Sequence, residues 1–243
     1  MDDLLVQQDG ALLRLTINRP GEGNFFTNEM AARLPELLAG AARDARVVLL
    51  SSAGTDFCNG WKPAGGPPKV GTEAYEAREQ FDLVFNCYGA FRRARIPVVG
   101  AVQGHARGFG CSIAALCDIT IAAETARFQI PEMSFNVLPT MVMSSLIDRV
   151  SAKALSYLVY TAEEIDAQTA LQFGIVSRIV PEASLLEHAE NVCSNMLKRP
   201  APTLPAVKEY VSTAARMDIA GAVDFARSLH ALVNTSRRMK SAS

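Results

Sequence analysis

The sequence has almost no net charge: 24 lysines and arginines stand against 25 aspartates and glutamates, a formal charge of −1. A chain so balanced exerts no general pull on nucleic acid or an anionic membrane surface, and neither is expected as a partner. Long apolar runs are missing too. No stretch approaches the roughly 18 uninterrupted apolar residues of a membrane span. Met1-Asp2-Asp3-Leu4 carries neither the basic nor the apolar region of a secretory signal, so a cytoplasmic location is expected. Histidine is scarce, and His105, His188 and His230 lie far apart. The five cysteines (Cys58, Cys87, Cys111, Cys117, Cys193) show neither C-x-x-C nor a Cys/His ligand spacing. No metal site is expected, and the thiols are read as free and mostly buried.

What is present is an ordinary globular composition, 49% hydrophobic and 20% charged, which excludes disorder as the main state. A length of 243 residues corresponds to one domain with room for an appendage. Residues 12–17 read as a strand in a hairpin with 3–8, ended by the turn residues 20–23. A helix follows, capped by Asn28 and running to Gly40, then a continuous apolar strand over 46–52 of the kind buried on both faces. Residues 53–72 form a long loop rich in glycine and proline. Helix 73–94, strand 97–102, helix 109–117 and strand 119–123 continue the alternation, which predicts an α/β architecture with a parallel sheet and right-handed crossovers. After a strand at 175–180 the pattern is helical, over 183–198 and from 206 to about 238. The Lys198-Arg199-Pro200-Ala201-Pro202 junction divides an α/β core over 1–198 from a helical region over 199–243 that packs on another subunit.

Two loops follow buried strands, where open α/β sheets bind their ligands: Asp56-Phe57-Cys58-Asn59-Gly60 and Gly104-His105-Ala106-Arg107-Gly108-Phe109-Gly110. In the second, glycines permit positive φ and close approach, and the following helix offers unpaired N–H groups that suit a negatively charged oxygen; a plain tight turn reads equally well. Its G-x-x-x-G-x-G spelling is neither a dinucleotide fingerprint nor a phosphate loop. Gly110-Cys111-Ser112-Ile113-Ala114 misses the G-x-S-x-G nucleophile elbow by one residue, which leaves a serine hydrolase, with His188 or His230 as base, as a rival. In Phe128-Gln129-Ile130-Pro131-Glu132, a carboxylate follows proline with apolar neighbours. It is either a base sharpened by a dry pocket or a surface glutamate at a helix start.

Together these segments resemble the crotonase superfamily, the enoyl-CoA hydratases and isomerases. Residues 56–60 resemble its F-x-A-G loop, and Pro97-Val98-Val99-Gly100-Ala101-Val102-Gln103-Gly104 its P-V-I-A-A-V-x-G strand. Gly108-Phe109-Gly110 through Cys117-Asp118 is similar to its glycine turn ending in C-D. Phe128 to Glu132 matches F-x-x-P-E, Leu138-Pro139 the following I-P, and Ala167 to Val176 the A-x-x-A-x-x-x-G-L-V stretch. The resemblance implies a spiral of ββα turns with a carboxy-terminal helical trimerisation region, a homotrimer or hexamer, and an acyl-CoA thioester substrate. Coenzyme A arrives as part of that substrate, with no separate cofactor.

It further implies that the thioester oxygen meets two backbone N–H groups, by position those of Asn59 and Phe109, and that Glu132 is the acid/base. Hydratases of the family carry a second glutamate where this chain has Ser112, whose hydroxyl orients water but is no base near neutrality. Dienoyl isomerases add an acid where this chain has Thr140. Cys58, Gly60 and Gly108 would line the substrate with Ser112 and Thr140; Trp61 would flank the cleft, Lys62 meet a CoA phosphate and His105 touch the substrate. The basic tail Arg237, Arg238 and Lys240 would meet a subunit or a phosphate. A lone carboxylate suffices to move a double bond, so enoyl-CoA isomerisation is the expected activity. Hydration of a 2-enoyl-CoA, or acyl-CoA binding without turnover, are the alternatives.

Overall fold

The computed structural model describes residues 2–62 and 73–239. Residues 63–72, the second half of the glycine- and proline-rich stretch expected at 53–72, and the tail residue Lys240 lie outside the described residues. Strands β1 (Leu4–Asp9) and β2 (Leu12–Ile17) form the expected antiparallel hairpin. Helix α1 (Asn28–Ala41) is capped by Thr27, whose hydroxyl accepts the Met30 N–H at 3.3 Å, and not by Asn28. The Asn28 side chain instead accepts the indole N–H of Trp61 at 3.1 Å. Strand β3 (Val47–Ser52), α2 (Ala74–Arg93), β4 (Val98–Val102), β5 (His105–Arg107), α3 (Phe109–Leu116) and β6 (Ile119–Ala123) follow.

The span 124–174, read from the sequence only as motif segments, holds β7 (Arg127–Gln129), α4 (Thr140–Leu146), α5 (Ala152–Thr161), β8 (Ile165–Asp166) and α6 (Ala167–Phe173). Then come β9 (Arg178–Val180), α7 (Leu185–Leu197), α8 (Thr203–Ala214) and α9 (Ile219–Asn234). The expected strand at 175–180 is shorter because the Ile175 and Val176 amides bond back to Ala170 O, closing α6 behind Gly174. The expected helix from 206 to 238 is two helices, because the Asp218 carboxylate takes the Gly221 N–H at 2.7 Å and starts a new one.

The main sheet runs β1-β2-β3-β4-β6-β9, parallel from β2 onward. A second row runs β5-β7-β8, extended by the bridge of Cys58 to Ala106. After β3, β4 and β6 in turn the chain steps from the first row to the second, placing Cys58, Ala106 and Phe128 on successive rungs. This is the spiral of ββα turns. All five residues of β4 are buried, as a strand covered on both faces must be. Gly100 within it has no room for a side chain: a Cβ would stand 2.9 Å from Cys117 Sγ. The five cysteines are free and buried. Among the described residues no helix is long and apolar enough to cross a membrane, and no group of three or more His, Cys, Asp or Glu stands together as metal ligands.

The carboxy-terminal helices are tied to the core by one buried ion pair. Lys208 of α8, 7% exposed, places Nζ 2.6 Å from Asp118 Oδ2, which also accepts the Val98 N–H at 2.7 Å. Arg46 adds bonds to the Leu197 and Arg199 carbonyls at the 198/199 junction. Lys208→Met leaves Asp118 facing the protein without its counter-charge. It should cost about 3 kcal/mol, at the low end for breaking a buried pair because Asp118 keeps some solvent. Urea unfolding of the parent and variant measures it.

Candidate active site

The loop after β3 is held by its backbone on both sides. Cys58 donates to His105 O at 3.0 Å and accepts from the Arg107 N–H at 2.9 Å. The Asn59 N–H turns the other way and donates to Gly23 O at 3.1 Å. The Gly60 carbonyl accepts the Phe26 N–H at 2.9 Å, and Lys62 N–H returns a bond to Phe26 O. A trans peptide directs its C=O and N–H oppositely, so the Trp61 N–H points away from Phe26. Among the described residues no acceptor takes it. The amide offered by this loop is therefore that of Trp61. The expected pairing of Asn59 with Phe109 is corrected on that point, since the Asn59 N–H is already engaged.

The second donor stands at the start of α3. Gly108 adopts φ 49°, ψ −110°, a conformation that needs glycine, and its N–H is taken by Gln129 O at 2.9 Å. The next amide, Phe109, begins the helix without a partner among the described residues, as helix starts do. This end of α3 is pressed onto the first loop: a Cβ on Gly110 would stand 2.0 Å from Cys58 O. Glu132 closes the third side. It opens a single 3₁₀ turn over Glu132–Phe135 after Pro131, and its Oε1 lies so close to Gly108 that a Cβ there would be 2.6 Å away. Glu132 Oε2 is inaccessible and has no hydrogen-bond partner. Burial pushes this carboxyl above the ordinary glutamate range.

Behind the loop, Asp56 experiences the opposite. Burial alone would raise its pKa, but it accepts the His105 backbone N–H at 3.0 Å, the His105 ring at 2.8 Å and the Asn59 amide at 2.8 Å, which together hold it below the usual range. Arg107 joins this network through Asn59 and through Glu164 at 2.8 Å. On the other flank the Phe109 ring packs between Phe26 and Tyr88, with centroids at 4.8 and 5.3 Å.

A family model described as Enoyl-CoA hydratase/isomerase matches residues 7–242. The chain belongs to the enoyl-CoA hydratase/isomerase family. It is 31% identical over 210 residues to 2,3-dehydroadipyl-CoA hydratase of Escherichia coli strain K12, covering 86% of this chain and 81% of that one. It is 28% identical to 1,2-epoxyphenylacetyl-CoA isomerase of the same organism, covering 97% and 92%. Among solved structures, an enoyl-CoA hydratase of Mycobacterium smegmatis superposes with a TM-score of 0.90 at 27% identity, over 98% of this chain and 93% of that one. A putative enoyl-CoA hydratase of Thermobifida fusca in complex with CoA superposes at 0.84 with 28% identity, over 96% and 93%. The fold expected of the crotonase superfamily is thus the fold observed.

Within this family member, the contacts of Gly110 with Cys58 and of Gly108 with Glu132 bring the first loop, the start of α3 and Glu132 together. Ser112 is fully buried one helical turn beyond Gly108, and its hydroxyl has no hydrogen-bond partner. With no histidine bonded to it, the nucleophile-elbow reading has no base. Other expectations are corrected. The Cys58 thiol faces the core, bonds Gly60 O at 3.4 Å and is pushed up to about 12 by burial, so Cys58 contributes backbone and not a side chain. His105 is committed to Asp56 and stands 3.6 Å from Glu164. The Asn59 side chain is likewise turned into that network. Thr140 is exposed at the start of α4, and Lys62 is exposed beside the loop. Arg237 and Arg238 sit in a 3₁₀ turn after α9. Sequence reading missed Phe26 and Tyr88, whose apolar surroundings look like plain core.

The contact of Gly108 with Glu132 is testable. Gly108→Ala forces a non-glycine residue to positive φ and drives its Cβ into Glu132 Oε1. Because the carboxylate must then move, activity toward a thioester substrate should fall at least a hundredfold while the far-ultraviolet circular dichroism keeps its shape.

Proposed function

We propose that this chain processes acyl-CoA thioesters by enolate chemistry, and that its reaction is the shift of a 3-enoyl-CoA double bond to the 2-position. The thioester oxygen sits between the Trp61 and Phe109 amides. Glu132 carboxylate takes a proton from C2, the electrons of that bond spread into a dienolate with its charge on the held oxygen, and the same carboxyl returns the proton at C4. Donors aimed in advance at a developing oxyanion are worth about 3 kcal/mol each. The observation that carries the isomerase reading is the pairing of a half-buried Glu132, with an inaccessible and unpartnered oxygen, and an uncharged, buried Ser112. The relative acting as a 1,2-epoxyphenylacetyl-CoA isomerase and the structure that holds CoA support a thioester substrate. Hydration is the second reading, supported by relatives such as 2,3-dehydroadipyl-CoA hydratase.

Glu132→Gln should slow conversion of 3-hexenoyl-CoA at least a thousandfold, and rapid hydration of crotonyl-CoA by the parent would favour the second reading. As base, Glu132 must be ionised. Its pKa is raised, so kcat/KM should fall with decreasing pH along a limb centred above the value of about 4.3 of a free glutamate. Association is proposed on separate grounds: α9 has no buried residue, and Val207, Val211, Ile219, Val223 and Leu232 of the last two helices are exposed. Light scattering should return three, or six, times the mass of one chain.

A further inference from the structure

Asn24 is a polar residue that the fold encloses completely, and it holds a left-handed backbone, φ 55°, that is uncommon outside glycine but open to asparagine. Burying an amide is costly unless its hydrogen bonds are replaced, and here they are. Oδ1 accepts the Arg19 N–H at 2.8 Å, while Nδ2 donates to Ala53 O at 2.7 Å and to Asp56 O at 2.6 Å. All three partners are main-chain atoms. The side chain therefore fastens the turn over 19–24 directly to the backbone at the root of the loop that leads to Trp61, whatever side chains those neighbours carry.

That loop is held along two edges. On the β5 edge the Phe57 N–H is bonded to Gln103 O, and Cys58 to His105 and Arg107. On the other edge the residues around Asn24 are the template: Gly23 O accepts the Asn59 N–H at 3.1 Å, and the Phe26 N–H holds Gly60 O at 2.9 Å. The peptide joining Gly60 to Trp61 is the one so held, and its rigid plane sets the direction of the Trp61 N–H. We propose that Asn24 is a positioning residue for the Trp61 donor: it locks the segment over 23–26 against the root of the loop, and through that segment it fixes the tilt of the Gly60–Trp61 peptide. The inference rests on the thioester site proposed above and adds to it a residue that acts only through the loop. Aspartate is no substitute, since its second oxygen would face the Ala53 and Asp56 carbonyls, and serine offers one donor where two are used.

Asn24→Gly removes the side chain and still permits the positive φ. Gly23→Ala disturbs the same template from the next position, because its Cβ would stand 2.8 Å from Asn59 Nδ2. The reporter is the carbonyl stretch of butyryl-CoA labelled with carbon-13 at the thioester carbon, read by infrared difference spectroscopy beside calorimetric Kd and turnover. Binding to the parent should lower the band, since donors at the oxygen weaken the C=O bond. Each variant should give back at least half of that drop, with Kd within about threefold of the parent's and kcat down about a hundredfold, the low end for losing one oxyanion donor. A bound band that stays at the parent's position while only the unfolding midpoint falls would overturn the assignment. Failure of both variants to fold would overturn it too, because Asn24 would then serve the fold as a whole. If butyryl-CoA does not bind the parent, or binds with no lowering of its band, the thioester site itself falls, and the inference with it.

Discussion

The site depends on two bare α-carbons pressed against oxygen. Gly110 lets α3 begin in contact with the carbonyl of Cys58, and Gly108 lets the carboxylate of Glu132 lie on the turn just before it. A methyl group at either place would separate turns of the spiral that must touch. With the turns in contact, the first free amide of α3 is carried to the loop that presents the free amide of Trp61. Unpaired donors inside a protein are costly, and a fold retains them where something else pairs them. A ligand oxygen is such a partner.

The same closeness separates the behaviour of two carboxylates on either side of the loop. Asp56 is surrounded by the His105 amide and ring and the Asn59 side chain, so its charge is stabilised and it serves as a fixed strut. Glu132 has desolvation without compensating donors at Oε2, so its charge is disfavoured and its proton affinity raised. A group in the first environment holds structure, and one in the second is suited to exchanging protons. The difference lies in the neighbours, and the neighbours come from β5, from the loop and from the turn at Gly108.

The flank made by Phe26, Phe109 and Tyr88 gives the site its other character. The Phe109 ring fills the gap between the two others. That stack packs the start of α3 against α2. The arrangement couples packing to backbone: the residue with the free amide at the start of α3 is also the one whose ring is packed between Phe26 and Tyr88.

Periodicity and turn chemistry determined much of this protein from the sequence. The apolar runs at 46–52 and 97–102 had to be parallel strands covered on both faces, and the glycines at 108 and 110 marked a turn with special backbone. The motif segments located Glu132 and Phe109. What the tertiary structure decided is which groups remain available. Asn59 and Trp61 are two residues apart, and whether an N–H is free depends on a distant carbonyl, that of Gly23, brought near by folding. His105 changed role for the same reason, drawn to Asp56. Local pattern reports which face of an element is buried; hydrogen-bond availability and proton affinity are set by atoms far away in the chain, and only the packed structure brings them together.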